Sequence, residues 1–141
     1  MAATKDVPEL TLEGARAALD AALARAGELG VAVVVAVTDR AGRLVALARM
    51  DGAFVLSIEV AQKKAKTVSI ASGAATAELW EAFGSDPELL HGLSPKLADL
   101  MPVGGGVPIM VEGDLAGAVG VSGATAAQDA DIAAAGAAAV G

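Results

Sequence analysis

Cysteine and tyrosine are absent from this 141-residue sequence, which holds one histidine, one tryptophan and two phenylalanines. Without cysteine there are no disulfides, no thiolate chemistry and no Cys-ligated metals. A single histidine, with carboxylates scattered over loops and helix starts, leaves no metal-ligand spacing. Positive charge is also scarce. Ten Lys and Arg face seventeen Asp and Glu, for a formal net charge of −7. That balance speaks against nucleic acid, whose phosphates are met by clustered basic side chains. The one short basic cluster is Lys63, Lys64 and Lys66. No window approaches the roughly 20 uninterrupted apolar residues needed to span a bilayer, so no membrane partner is expected. The segment from Met1 to Leu10 carries Lys5, Asp6 and Glu9 and no apolar stretch of the secretory kind. The expected compartment is the cytoplasm.

What is plentiful is small and apolar. Ala and Val supply most of the 55% hydrophobic fraction, and aromatics only 2%. The length suits a single domain. Burying a large aliphatic or aromatic side chain contributes about 1.5–3 kcal/mol, and alanine far less. A helix surface of Ala and Gly therefore gains from a second subunit to pack against, and a homo-oligomer is expected.

Residues 1–9 form a short tail, and 10–141 one domain without internal repeat or linker. Thr11 precedes Leu12, Ala15, Leu19, Ala22, Leu23 and Ala26, the spacing of an amphipathic helix, with Thr11 as its cap and Gly27 or Gly30 at its end. Val31 to Thr38 is a nearly continuous β-branched run that suits a central strand covered on both faces. Asp39 to Gly42 is turn chemistry, and Arg43 to Ala48 returns as the second strand of a hairpin. A helix follows from about Phe54 to Ser72, with Phe54, Ile58, Ala61, Ala65 and Val68 as its apolar stripe. Shorter helices are expected at Thr76–Phe83 and Pro87–His91, and Ser94–Pro102 is irregular with at most one helical turn. Val107–Val111 and Leu115–Val121 make a second hairpin, whose Pro108 belongs near a strand start or at an edge. Thr125 and Gln128 match a capping box that opens a last helix to about Val140. The fold class is α+β: two hairpins sharing one antiparallel sheet flanked by helices.

Several stretches carry a resemblance: Met50-Asp51-Gly52-Ala53, Ala61-Gln62-Lys63-Lys64-Ala65-Lys66-Thr67, Gly105-Gly106-Val107-Pro108-Ile109 and Gly117-Ala118-Val119-Gly120-Val121-Ser122-Gly123. With Gln128-Asp129 and Ile132-Ala133 they resemble the GlcG/HbpS family over roughly residues 10–140. They also resemble the domain appended to some cobalamin adenosyltransferases. The resemblance implies a PAS- or profilin-like fold that assembles as a dimer, tetramer or octamer. It also implies varied roles, haem binding among them, so it narrows the fold more than the function.

Haem requires an axial ligand, an apolar slot and cations for its propionates. His91 is the one conventional strong ligand; it also suits a plain helix-end position. The helix that carries a histidine in haem-holding relatives has none here. Gly104, Gly105 and Gly106 either present backbone N–H groups to an anion or allow another backbone to approach, and the segment from Ser122 into the last helix offers the same choice. Neither matches a nucleotide-binding pattern. Lys64 falls beside Val60, Thr67 and Ala71, off the apolar stripe. It aligns with the family's recurring Lys-Ala pair. There it either meets a ligand carboxylate, acts as a base, or serves as an intersubunit or solvated charge. Asp51 fits turn chemistry, and Asp129 and Gln128 fit a helix start.

The expected pocket lies between the Met50–Ala53 turn, the Lys64 helix, the glycine run and the start of the last helix. Met50, Gly52, Gly104, Gly105, Gly106, Ser122, Gln128 and His91 are its candidate binding residues. The expected function is small-molecule binding of the GlcG/HbpS type, with haem or a related tetrapyrrole as the named ligand. The alternative is a cofactor-independent isomerase, lyase/dehydratase or cyclase acting on a small carboxylate or carbonyl compound. Lys64, Asp51 and Asp129 would then carry the proton transfers.

Overall fold

Val34 to Val37 bury every side chain, on both faces of their strand, and the rest of the chain is arranged to cover them. The computed structural model describes residues 2–141, so Met1 of the expected tail lies outside it. Strand β1 (Val34–Asp39) pairs on one side with β2 (Leu44–Arg49) and on the other with β4 (Asp114–Ser122), and β3 (Gly106–Val111) forms the far edge. All three pairings are antiparallel, in the order β2-β1-β4-β3. The two expected hairpins thus share one sheet. Pro108 falls on the edge strand β3, where a missing N–H is tolerated.

Alternation along β1 sorts the helices. Val33, Val35 and Val37 face α1 (Leu12–Leu29) and α5 (Ala126–Ala138), joined by Val119 and Val121 from β4. Val34 and Ala36 face α2 (Leu56–Ile70). Both contacts are close because small residues meet there. A Cβ on Gly136 of α5 would stand 2.8 Å from the Ala18 carbonyl oxygen of α1. A Cβ on Gly120 of β4 would overlap the Ala61 carbonyl of α2 and stand 2.7 Å from the Ala65 nitrogen. Glycine here serves close approach of backbones.

Local chemistry sets the ends. Thr11 Oγ1 accepts from Gly14 N at 3.0 Å, and Gly30, at φ 70°, stops α1 with its N–H on the Ala26 and Gly27 carbonyls. Thr125 and Gln128 make both halves of the capping box of α5. Helix α2 is shorter than its sequence pattern predicts, and Ser72, at φ 56°, cannot continue it. Helices α3 (Thr76–Ser85) and α4 (Pro87–Leu93) follow, then a 3-10 helix at Ser94–Asp99 within the stretch expected to be irregular. No helix among the described residues is long and apolar enough to cross a membrane.

The β1–β2 turn is held by one carboxylate. Asp39 Oδ1 accepts from the N–H groups of Ala41 (2.9 Å) and Arg43 (3.0 Å), and Oδ2 accepts from Arg43 Nε at 2.9 Å. Burial alone pushes this carboxyl up. The Arg43 and Ala41 N–H groups and then the Arg43 guanidinium outweigh it and hold the group below its ordinary 3.8. A carboxyl lowered by folding stabilises the fold fully above its unfolded pKa and loses that contribution as pH falls through its folded value. Thermal melts of wild type and Asp39→Asn should therefore differ at neutral pH and converge as the pH drops below about 3.8. A gap that stays constant with pH would remove this assignment.

Candidate functional site

Where β3 begins, the chain runs between α2 and α5 with no side chain in the way. Gly105 has φ 134°, and its carbonyl accepts from Val121 N at 2.8 Å. A Cβ on it would overlap the Val121 oxygen and stand 2.8 Å from Lys64 Nζ. Through this gap Lys64 extends from α2. Its Nζ donates to Val121 O at 2.8 Å and to Asp129 Oδ2 at 3.0 Å. Asp129 Oδ1 accepts from Ala124 N at 3.0 Å. Lys64 is 3% exposed and Asp129 2%.

Lys64 therefore does not lie off the packed face of α2, as its spacing predicts. The buried side of that helix holds Ser57, Ala61, Lys64, Ala65, Thr67 and Val68. It is broader than one apolar stripe because α2 touches β1, β3 and β4 together. Two opposite charges taken out of water are tolerated only when each finds its hydrogen bonds, and both do. The pair is closed to solvent, which leaves a substrate no direct path to either group.

The other candidates are spread out. Ser122 Oγ donates to Ser57 Oγ at 3.1 Å, another buried link from β4 to α2. Gly106 N donates to Thr76 Oγ1 at 2.8 Å, which fixes the start of α3 against β3. Met50 packs on the core of the α1/α5 face, with its Sδ 3.5 Å from Val33 N. Asp51 and Gly52 are exposed in the β2–α2 turn. His91 is exposed in the last turn of α4, and Gln128 is engaged in the capping box.

A pocket of about 370 Å³ does open beside the glycine run, but its walls differ from those expected. Gly104 and Val103 form its floor, Ala126, Ala127 and Ala130 of α5 one side, and Ala77, Trp80 and Glu81 of α3 the other. Neither the Met50–Ala53 turn nor Lys64 lines it. The turn contributes none of its lining residues, and Lys64 is sealed beneath Gly105. The α3 wall went unrecognised in the sequence, although the chain's single tryptophan was its signal. Trp80 is 60% exposed, an unusual state for so large an apolar side chain. Behind the α5 wall, the Arg25 fork holds Asp131 through Nε (3.2 Å) and Nη2 (2.9 Å). That hydrogen bonding, with the guanidinium charge, outweighs burial and keeps the Asp131 carboxyl low. Among the described residues no cluster of three His, Asp or Glu side chains is placed to hold a metal ion.

The layered fold has close counterparts. Residues 10–138 match the family described as haem degrading protein HbpS-like, and the chain belongs to that family. A 15.0 kDa protein from the dhaT-dhaS intergenic region of Citrobacter freundii is 33% identical over 126 residues, covering 89% of this chain and 88% of that protein. The crystal structure of Klebsiella pneumoniae protein ORFY superposes with a TM-score of 0.88 at 33% identity, covering 99% of this chain and 96% of the other. A structure of a PduOC:heme complex gives a TM-score of 0.84 at 34% identity, over 94% of this chain and 95% of that one.

Removing one partner of a buried pair strands the other charge. Lys64→Met or Asp129→Leu alone should cost about 3–5 kcal/mol in urea denaturation, and the double replacement clearly less than the sum. Additive losses would show that the two groups do not act as a pair.

Proposed function

We propose that this chain binds a planar apolar small molecule in the pocket between α3 and the start of α5, with haem or a related tetrapyrrole as the leading ligand. The observation that carries this reading is the pocket itself, a concave apolar slot faced by Trp80 and by a wall of alanines. The relative that forms a heme complex, with its high TM-score, supports the choice of ligand. Haem requires ring walls and an iron ligand. The lining supplies apolar walls for a ring but no cation for its propionates. Histidine-ligated iron does not fit, because no histidine or methionine lines the slot and His91 lies outside it. Of the lining side chains, Glu81 alone carries a group able to ligate a metal. Ring contacts with Trp80, Ala77 and Ala130 would therefore carry the affinity.

The enzyme alternative has a desolvated lysine in its favour. Both oxygens of Asp129 and two donor positions of Lys64 are already taken within the chain, and Asp51 sits in a separate turn. Binding is the better reading.

A haem titration followed at the Soret band tests it. Saturable binding should survive His91→Ala and be lost in Ala130→Trp, which fills the slot. Binding lost in His91→Ala, or unaffected by Ala130→Trp, would sink this placement of the ligand.

We also propose that the chain assembles as a homo-oligomer. At the start of α2, Phe54, Val55 and Leu56 are 69%, 70% and 71% exposed in succession, a patch more apolar than a monomer's surface usually carries. Sedimentation velocity should show a dimer or larger species that dissociates in Val55→Glu. A monomeric wild type at micromolar concentration removes the proposal.

A further inference from the structure

Between α2 and the β1–β2 hairpin lies a separate cleft of about 180 Å³. The hairpin contributes Thr38, Gly42 and Leu44; α2 contributes Gln62, Lys63 and Lys66; Asp99 closes the rim. None of these residues lines the α3/α5 pocket. Strand register slips between Val37 and Thr38, an irregularity of the kind that redirects a side chain. Thr38 is 1% exposed, and its hydroxyl has no hydrogen-bond partner among the described residues. The Ser69 hydroxyl also lacks one. It lies at the same contact, since a Cβ on Gly42 would stand 3.5 Å from Ser69 Cβ. Buried polar groups are nearly always partnered, so two orphan hydroxyls at one seam require a reason.

Charge supplies one. Lys66 makes no ion pair among the described residues, while Lys63 contacts Glu59 Oε1 at 3.0 Å and donates to Ala98 O at 3.3 Å. Glu59 thus already answers Lys63, and the Lys66 ammonium is the lining cation left without an ion pair, with the Asp99 carboxylate at the same cleft. We propose that this cleft binds a small oxyanion that carries its own O–H, of the hydrogen-phosphate type. Lys66 meets its charge, the Thr38 hydroxyl donates to one oxygen, and Asp99 accepts from the ligand's O–H. The volume is below the roughly 300–1,000 Å³ usual for larger organic ligands, which excludes a nucleotide held whole.

The test is a titration with inorganic phosphate, followed by amide NMR, against chloride at matched ionic strength. Phosphate should give saturable shifts at Thr38, Gly42 and Lys66, and chloride should not. Lys66→Gln should weaken phosphate by about tenfold. Thr38→Val should weaken it several-fold, while the phosphate-free protein is no less stable, because an unsatisfied hydroxyl has been removed. Ala130→Trp should leave phosphate binding intact, which separates this site from the α3/α5 pocket. Acetate, which lacks an O–H at neutral pH, should bind more weakly. Shifts linear in phosphate, unchanged affinity in Lys66→Gln or Thr38→Val, or acetate binding as well as phosphate would overturn the proposal.

Discussion

A lysine on a helix that covers one face of a sheet has to reach an aspartate on a helix that covers the other. Lys64 does so at the end of β4, where it also finds the Val121 carbonyl. Neither charge retains contact with water, so neither tolerates the loss of its partner. Several local features follow from that geometry. Residue 105 cannot carry a side chain, because a Cβ would occupy the path of the ammonium. The Ala124 N–H turns toward the carboxylate, which fixes how the chain enters α5. The β3 start, the β4 end and the first turn of α5 are thereby set relative to α2 by one pair of charges.

The α3/α5 pocket is built beside that clamp. Gly104 immediately precedes the glycine that admits Lys64, and Ala126 and Ala127 belong to the helix turn that Asp129 anchors. A Cβ on Gly104 would stand 3.0 Å from the Ala126 carbonyl oxygen, so floor and wall touch directly. One side of the slot is therefore held in place by the fold itself. The other side is α3, fastened at its first residue by Thr76 to Gly106.

The sheet and its helices were legible because their signals are local. The β-branched run through Val37, the Thr125–Gln128 capping box and the glycine ending α1 each act within a few residues of themselves. Lys64 was misplaced for the opposite reason. Periodicity counts a lysine as solvent-facing, and the partner that reverses this lies 65 positions away. The α3/α5 pocket was misjudged likewise. Gly104 and the start of α5 do adjoin, but the facing wall comes from α3, whose approach depends on the Thr76–Gly106 bond rather than on its own pattern. Met50 and Asp51 drew attention through family resemblance. In the fold they serve the core and a turn.

Helices α3 and α4 contribute one buried residue, Thr76, between them. Detaching such a segment forfeits little apolar contact, so its opening free energy lies far below that of melting the sheet. Amides from 77 to 93 would then exchange with solvent long before those of β1, through partial rather than global openings. A slot flanked by so lightly held a segment would widen through a local fluctuation, and the strands beneath need never separate.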